Sequence, residues 1–320
     1  MINATIILWV TEASSSIIIS IAASLNSYRR IGEFLEYMRA FDKASAKIKI
    51  PRDNGRIYKI IIIFVTLTRF LLDASYAYNL VVQFGIQELP FIFMSVTIKY
   101  FSICVLQMLI YISYIEVSLR IEYIKDELQD LVDNRLVCDD STHSFYTHSV
   151  DEKVKNLHDL LDSIKTIYLK LNKHFETIFF FILLNILIRI ILYFYGIASI
   201  IQNGFEENIR YWNHPSTWGA PVWYMGLYGI HNFITMFVII HPFRVITCKL
   251  ADIKLLMGRI MTMNNYAFRV FLNVNTFYEE LISYNFSYTP LGIITIERSI
   301  LIKVLAIGIT CTAAILQFKK

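Results

Sequence analysis

The sequence predicts an all-α polytopic membrane protein with six transmembrane helices, helical cytosolic extensions and an extracellular C-terminus. Three observations predict it. Of the 320 residues, 56% are hydrophobic and 15% aromatic, and the mean hydropathy is +0.50. Charged residues make up only 18%, below the quarter or so usual in soluble domains. Those charges are clumped, so that long stretches carry one or none. This is how a chain reads when it crosses a bilayer repeatedly. Strands are poor candidates for the crossings, because the apolar runs are too long and lipid-exposed backbone must satisfy its own hydrogen bonds.

Six segments reach the roughly 20 residues that a crossing needs: 2–25, 57–84, 90–118, 176–201, 220–243 and 291–317. The first opens MINATIILWV, without the basic start of a cleavable signal peptide, and Glu12 interrupts its apolar run. It is therefore read as a membrane helix. The second contains VTLTRFLLDASYAY, the third carries Lys99 and the fourth Arg189. Before and at the start of the fifth, Tyr211, Trp212, Trp218, Trp223 and Tyr224 flank the 202–219 loop, as the aromatic belt of an interface would. The sixth runs nearly to the end of the chain.

Lys and Arg set the orientation. Segment 26–56 carries Arg29, Arg30, Arg39, Lys43, Lys47, Lys49, Arg52 and Arg56. Segment 119–175 carries Arg120, Lys125, Arg135, Lys153, Lys155, Lys165, Lys170 and Lys173, and 244–290 carries Arg244, Lys249, Lys254, Arg259 and Arg269. By contrast 85–89 has neither residue type, and 202–219 has only Arg210. The three rich segments share one side by parity, so that side is cytosolic and both termini are outside. Asn3-Ala4-Thr5 is then a glycosylation sequon on the outer side, whereas Asn285-Phe286-Ser287 lies inside and stays unmodified.

The inner segments 119–175 and 244–290 are expected to be largely helical. Ile121, Ile124, Leu128 and Leu131 form one apolar stripe, and Val154, Leu157, Leu161, Ile164, Tyr168 and Leu171 a second. Ile246, Leu250, Ile253, Met257 and Ile260 form a third. CDDSTHSFYTHSV at 138–150 reads as a loop between the first two. The stripes leave two readings open, packing within the chain or assembly between subunits.

No enzyme site is visible: there is no Gly-rich phosphate loop and no HExxH, and the seven His are dispersed. Cys104, Cys138, Cys248 and Cys311 are scattered without metal or disulfide-framework spacing. No cofactor or metal is expected. The net charge of +4 reflects the inner loops, and no basic block interleaved with aromatics points to nucleic acid.

The signal lies in polarity inside the membrane. A lone charge at mid-bilayer costs roughly 2.5–3.5 kcal/mol on insertion scales. Arg69 and Asp73 are four apart, share a helix face and can neutralise each other. Glu12, Asp73, Lys99 and Arg189 lie in the middle or outer half, where they can also pair across helices. The same half holds Tyr76, Asn79, Gln83, Thr97, Tyr100, Tyr193, Tyr195, Trp223, Tyr228, His231 and Asn232. Converging aromatics with a few polar groups make a small-molecule pocket, although Tyr and Trp also populate lipid interfaces. In the last helix Thr310, Ala313 or Ala314, and Gln317 share one small, polar face, with Ile309, Thr312, Ile315 and Leu316 opposite. Gathered about an axis, such faces line a water-filled path; alone, Gln317 simply reaches the headgroups.

LGIITIERSILIKVLAIGITCTAAILQF resembles the C-terminal signature of insect gustatory receptors, which ends in Thr-Tyr, five hydrophobic residues and Gln-Phe. Thr310, residues 312–316 and Gln317-Phe318 match, while Cys311 stands in the tyrosine's place. Gly292 and Ile296-Glu297-Arg298 match the approach to the family's last helix. The organisation is similar along nearly the whole chain, including the extracellular C-terminus. The family has seven helices; aligned from the C-terminus, its first helix has no counterpart among the six. The resemblance implies a tastant-gated, cation-permeable channel subunit of the plasma membrane, a homo- or heterotetramer with other gustatory receptors. Thr310, Ala313, Ala314, Gln317 and Phe318 would line its pore, and the cytosolic extensions would make the subunit contacts. A tastant, by class a bitter plant compound, would bind among Asp73, Tyr76, Lys99, Tyr100, Tyr195, Trp223, Tyr228, His231 and Asn232. The alternatives are an odorant receptor of the same superfamily, a secondary transporter or a G-protein-coupled receptor.

Overall fold

The computed structural model describes residues 14, 16–23, 32–33, 35–37, 39–40, 43, 54–84, 89–135, 143–203, 222–262, 268–284, 286–297 and 299–317. Among the described residues every regular element is a helix. In chain order these are a stretch at 16–23, then α1 (Asn54–Phe84), α2 (Leu89–Arg135), α3 (His143–Asn203), α4 (Val222–Thr262), α5 (Phe268–Ser283), a 3₁₀ turn (Pro290–Gly292) and α6 (Ser299–Gln317).

Length decides the architecture. α2 has 47 residues and α3 has 61, about 70 and 90 Å at 1.5 Å per residue, against a hydrocarbon core of about 30 Å. Each therefore continues well past a bilayer as one rod. Among the described residues Ile103–Asp133, Val150–Tyr195 and Gly226–Thr262 are long and apolar enough to cross, and Ser299–Ala314 is a shorter apolar helix. Two expectations need correcting. Residues 143–150 are helical, because a helix already nucleated by the stripe beyond Val150 extends at little cost through a polar sequence. The last helix opens at Ser299 rather than near 291, because residues 284–297 are spent on a packed, hydrogen-bonded approach.

The three inner stripes all turn inward. Ile121, Ile124, Leu128, Leu161, Ile164, Tyr168, Leu171, Ile246, Ile253 and Met257 are fully buried, and the other members of the stripes nearly so. They form one continuous core between α2, α3 and α4, joined by Val274, Phe277 and Leu281 of α5. The stripes are thus satisfied within the chain. The apolar side chains left outside on this layer are different ones: Leu169, Leu255, Phe271, Leu272 and Ile282.

Polar clasps pin the rods at their edges. Lys249 Nζ donates to Glu122 at 2.9 Å and to the Ser118 carbonyl at 3.1 Å. His158 Nε2 donates to Glu280 Oε2 at 2.8 Å, and its ring stacks 4.8 Å from Phe277. Tyr284 OH donates to Glu280 at 3.1 Å, with Lys165 Nζ 3.5 Å above the Tyr284 ring. The His158 hydrogen bond holds the Glu280 carboxyl below its ordinary range, and burial with the nearby carboxylates pushes the Tyr284 phenol up.

From α5 the chain threads the core as an extended strip. Tyr168 OH donates to the Phe286 carbonyl at 2.7 Å, and Tyr114 OH to Asn172 at 2.8 Å. Tyr288 stacks on Phe243 with ring centres 5.1 Å apart. The chain then reverses through Leu291 (φ 53°) and Gly292 (φ 68°). Glycine accepts that conformation freely, whereas leucine is strained in it. The turn is held by Glu176, which accepts from Leu291 N at 2.9 Å, and by Ile296 N donating to the Tyr288 carbonyl at 2.8 Å. It launches α6 alongside α3.

Candidate functional site

Two regions bring the expected site residues together. The first is a buried polar seam where α1 meets α4. Arg69 and Asp73 are both buried, and Arg69 Nε donates to Asp73 Oδ2 at 3.1 Å. The four-residue spacing read from the sequence thus produces the self-neutralised pair it implies. The pair is bound across the seam by Tyr228: its hydroxyl donates to Asp73 Oδ1, and the Arg69 guanidinium carbon lies 4.1 Å from its ring centre. Buried charges are tolerated when they are paired and hydrogen-bonded, and this arrangement pairs the two charges and ties the carboxylate to a second helix.

His231, one turn further along α4, donates from Nε2 to the Val65 carbonyl of α1 at 3.0 Å. That carbonyl belongs to a helix, so the imidazole is a second tie across the seam. Asn232 Nδ2 donates back to the Tyr228 carbonyl at 2.8 Å, and Thr235 to the His231 carbonyl at 2.8 Å. From α3, the Tyr193 ring lies 5.5 Å from that of Tyr228, at a level where a Cβ on Gly229 would touch Tyr193 at 3.4 Å. Tyr195 and Arg189 are buried on the same helix. Asp73, Tyr228 and Asn232 therefore form one connected cluster, with His231 on the same seam. The side chains of Tyr76, Asn79, Gln83, Thr97, Lys99, Tyr100 and Trp223 lie outside the described residues, as do Glu12, Asn3 and Asn285.

The second region is the free face of α6. One side packs on α3 through Ile300, Leu301, Val304 and Thr312, at a close approach where a Cβ on Gly308 would meet Phe194 at 3.2 Å and Ile190 at 3.4 Å. The exposed side carries Thr310, Ala313 and Gln317, with Ala314 half-buried beside them. Ile309, expected on the opposite face, is exposed and flanks this stripe, because one residue turns a helix by only about 100°. Phe318 lies outside the described residues.

Two residues of that face escaped the sequence reading. Lys303 and Ala306 are exposed in line with Thr310, Ala313 and Gln317. Seven-residue steps from Gln317 to Thr310 to Lys303 were the signal available. On the seam, Tyr193 gained its role only from the close passage of α3 past Gly229, which no local pattern records.

Among the described residues no group of His, Cys, Asp and Glu is arranged to hold a metal ion. The chain matches none of the curated proteins. A family profile described as 7tm chemosensory receptor matches residues 8–320, which takes in both the polar seam and the α6 face. With that match over nearly its whole length, this chain belongs to the 7tm chemosensory receptor family.

Proposed function

We propose that this membrane chemoreceptor is a gustatory receptor: a tastant-gated, cation-permeable channel subunit of the plasma membrane, working as a homo- or heterotetramer. The observation that carries the reading is the exposed face of α6. It keeps Thr310, Ala313 and Gln317 in line along an otherwise apolar helix. Copies arranged around an axis would give that stripe a water-filled path to line. The ending Thr310…Gln317-Phe318 favours the taste branch over an odorant receptor of the same superfamily.

The seam supplies the ligand end of the proposal. Tyr228 and His231 hold α4 to α1, so a small molecule seated against them acts on the relative position of two helices. Tyr faces suit apolar or aromatic molecules, a class that includes bitter plant compounds. Such a ligand gates only if it binds the open arrangement more tightly than the closed one.

The test is in expressing cells. An epitope at Lys320 should stain without permeabilisation; staining only after permeabilisation would favour a G-protein-coupled topology. Gln317→Ala should alter conductance or ion selectivity, and Tyr228→Ala or His231→Ala should shift tastant sensitivity, all at normal surface level. Unchanged currents and dose–response curves would remove these residues from pore and pocket.

A further inference from the structure

Lys303 is an exposed charge on an apolar helix whose exposed residues nearby include Ile302, Ile307 and Ile309. Among the described residues it makes no ion pair. Its direction and its depth can both be read. At 3.6 residues per turn, Lys303 is rotated only about 20° from Thr310 and about 40° from Gln317. Ile302 and Ile309 lie on one side of that line and Ile307 on the other, all exposed.

Two contacts fix the depth. Leu291 N sits on Glu176, and Gly308 sits against Ile190 and Phe194. α6 and α3 therefore run in the same direction and nearly in step. Counting back from Gly308, Lys303 lies beside α3 near residue 187, on the order of 16 Å beyond the level of Glu176. With the cytosolic headgroups taken at residue 176, where the fourth span is expected to begin, that is further than a lysine stem can reach back. A charge at this depth is strongly disfavoured in lipid but tolerated beside water.

We propose that Lys303 lines the inner half of the conduction path and sets its rectification, placing one ammonium per subunit on the cytosolic side of Thr310. The proposal rests on the channel reading of α6 given above. A positive ring opposes cations arriving from the cytosol more than cations that have already crossed the outer part of the path. Inward cation current is then passed more readily than outward current.

The experiment uses the full-length receptor in excised membrane patches with equal salt on both sides, with surface protein quantified for every variant. Lys303→Gln is expected to raise outward current relative to inward current several-fold, and Lys303→Glu to raise it further. In parallel, Lys303→Cys, in a background with the native cysteines replaced by serine, is expected to react rapidly with a water-soluble, membrane-impermeant thiosulfonate applied from the cytosolic side. Rectification identical to wild type in both charge variants overturns the role of Lys303 while leaving the channel intact. Failure of Lys303→Cys to react overturns its placement in water. Absence of current from wild type that reaches the surface, across a panel of bitter plant compounds applied to the patches, removes the channel reading, and this proposal with it.

Discussion

The inner helical layer and the membrane half of this receptor are built inside out relative to each other. In the inner layer Leu161, Ile164, Ile253 and Phe277 are sealed from solvent, and charged residues such as Asp159, Lys155 and Asp252 lie outside. In α1 the arrangement reverses: Ile60, Ile63, Phe64, Leu67 and Phe70 face out, and Arg69 and Asp73 face in. Both follow one rule applied in two solvents. Water drives apolar groups together, whereas lipid offers no such drive and instead makes unpaired polar groups the thing to hide. Stability should therefore reside in packing on the inner side and in polar pairing within the membrane half.

Four measurements test that division. Phe277→Ala should destabilise the detergent-purified receptor by about 3–5 kcal/mol, as expected for an aromatic removed from a closed core. Asp73→Ala should have a comparable effect, about 3–5 kcal/mol, because Arg69 is left buried without its carboxylate. If thermal melting showed Asp73→Ala to be neutral, polar pairing would not be what secures the membrane half. Tyr228→Phe removes one hydrogen bond to a charged group and should lower stability by about 1.5–3 kcal/mol. Leu67→Ala, on the outward side of α1, should change it by no more than about 0.5 kcal/mol; a loss as large as that of Phe277→Ala would erase the contrast.

The smallest effect is the pH response of the α5 clasp. The Glu280 carboxyl is lowered in the folded state, chiefly by its hydrogen bond from His158. A lowered carboxylate stabilises the fold above its unfolded value of about 4.3, and that contribution fades as pH falls through the folded value. Hydrogen exchange in α5 should therefore quicken on acidification below about pH 4.3, and Glu280→Gln should flatten that acid response. An α5 exchange profile that Glu280→Gln leaves unaltered would detach the clasp from Glu280.

The inner layer was legible in the sequence because water imposes a helical period on it. All three stripes, read from Ile121 through Ile260, turned out to be the buried faces. The Arg69–Asp73 pair was legible for a similar reason, since a four-residue step fixes a shared face. The partners of that pair were not. Tyr228 lies 155 residues from Asp73, and a membrane helix that is apolar all round gives no period from which to read its packed side. The helical start at His143 was hidden by polar composition, and the late start of α6 by the continuous hydrophobicity of LGIITI. Lys303 was passed over because one charge near the beginning of an apolar segment looks like a flank until α3 supplies a measure of depth.

α3 has a mechanical consequence. It is a single span of 61 residues that carries Tyr193 near one end and His158 near the other, and the takeoff of α6 is tied to its middle at Glu176. A continuous helix is a stiff element. A sideways push delivered where Tyr193 rests on Tyr228 is carried along it past Glu176, where the takeoff of the last helix is tied, toward the arm where His158 grips α5.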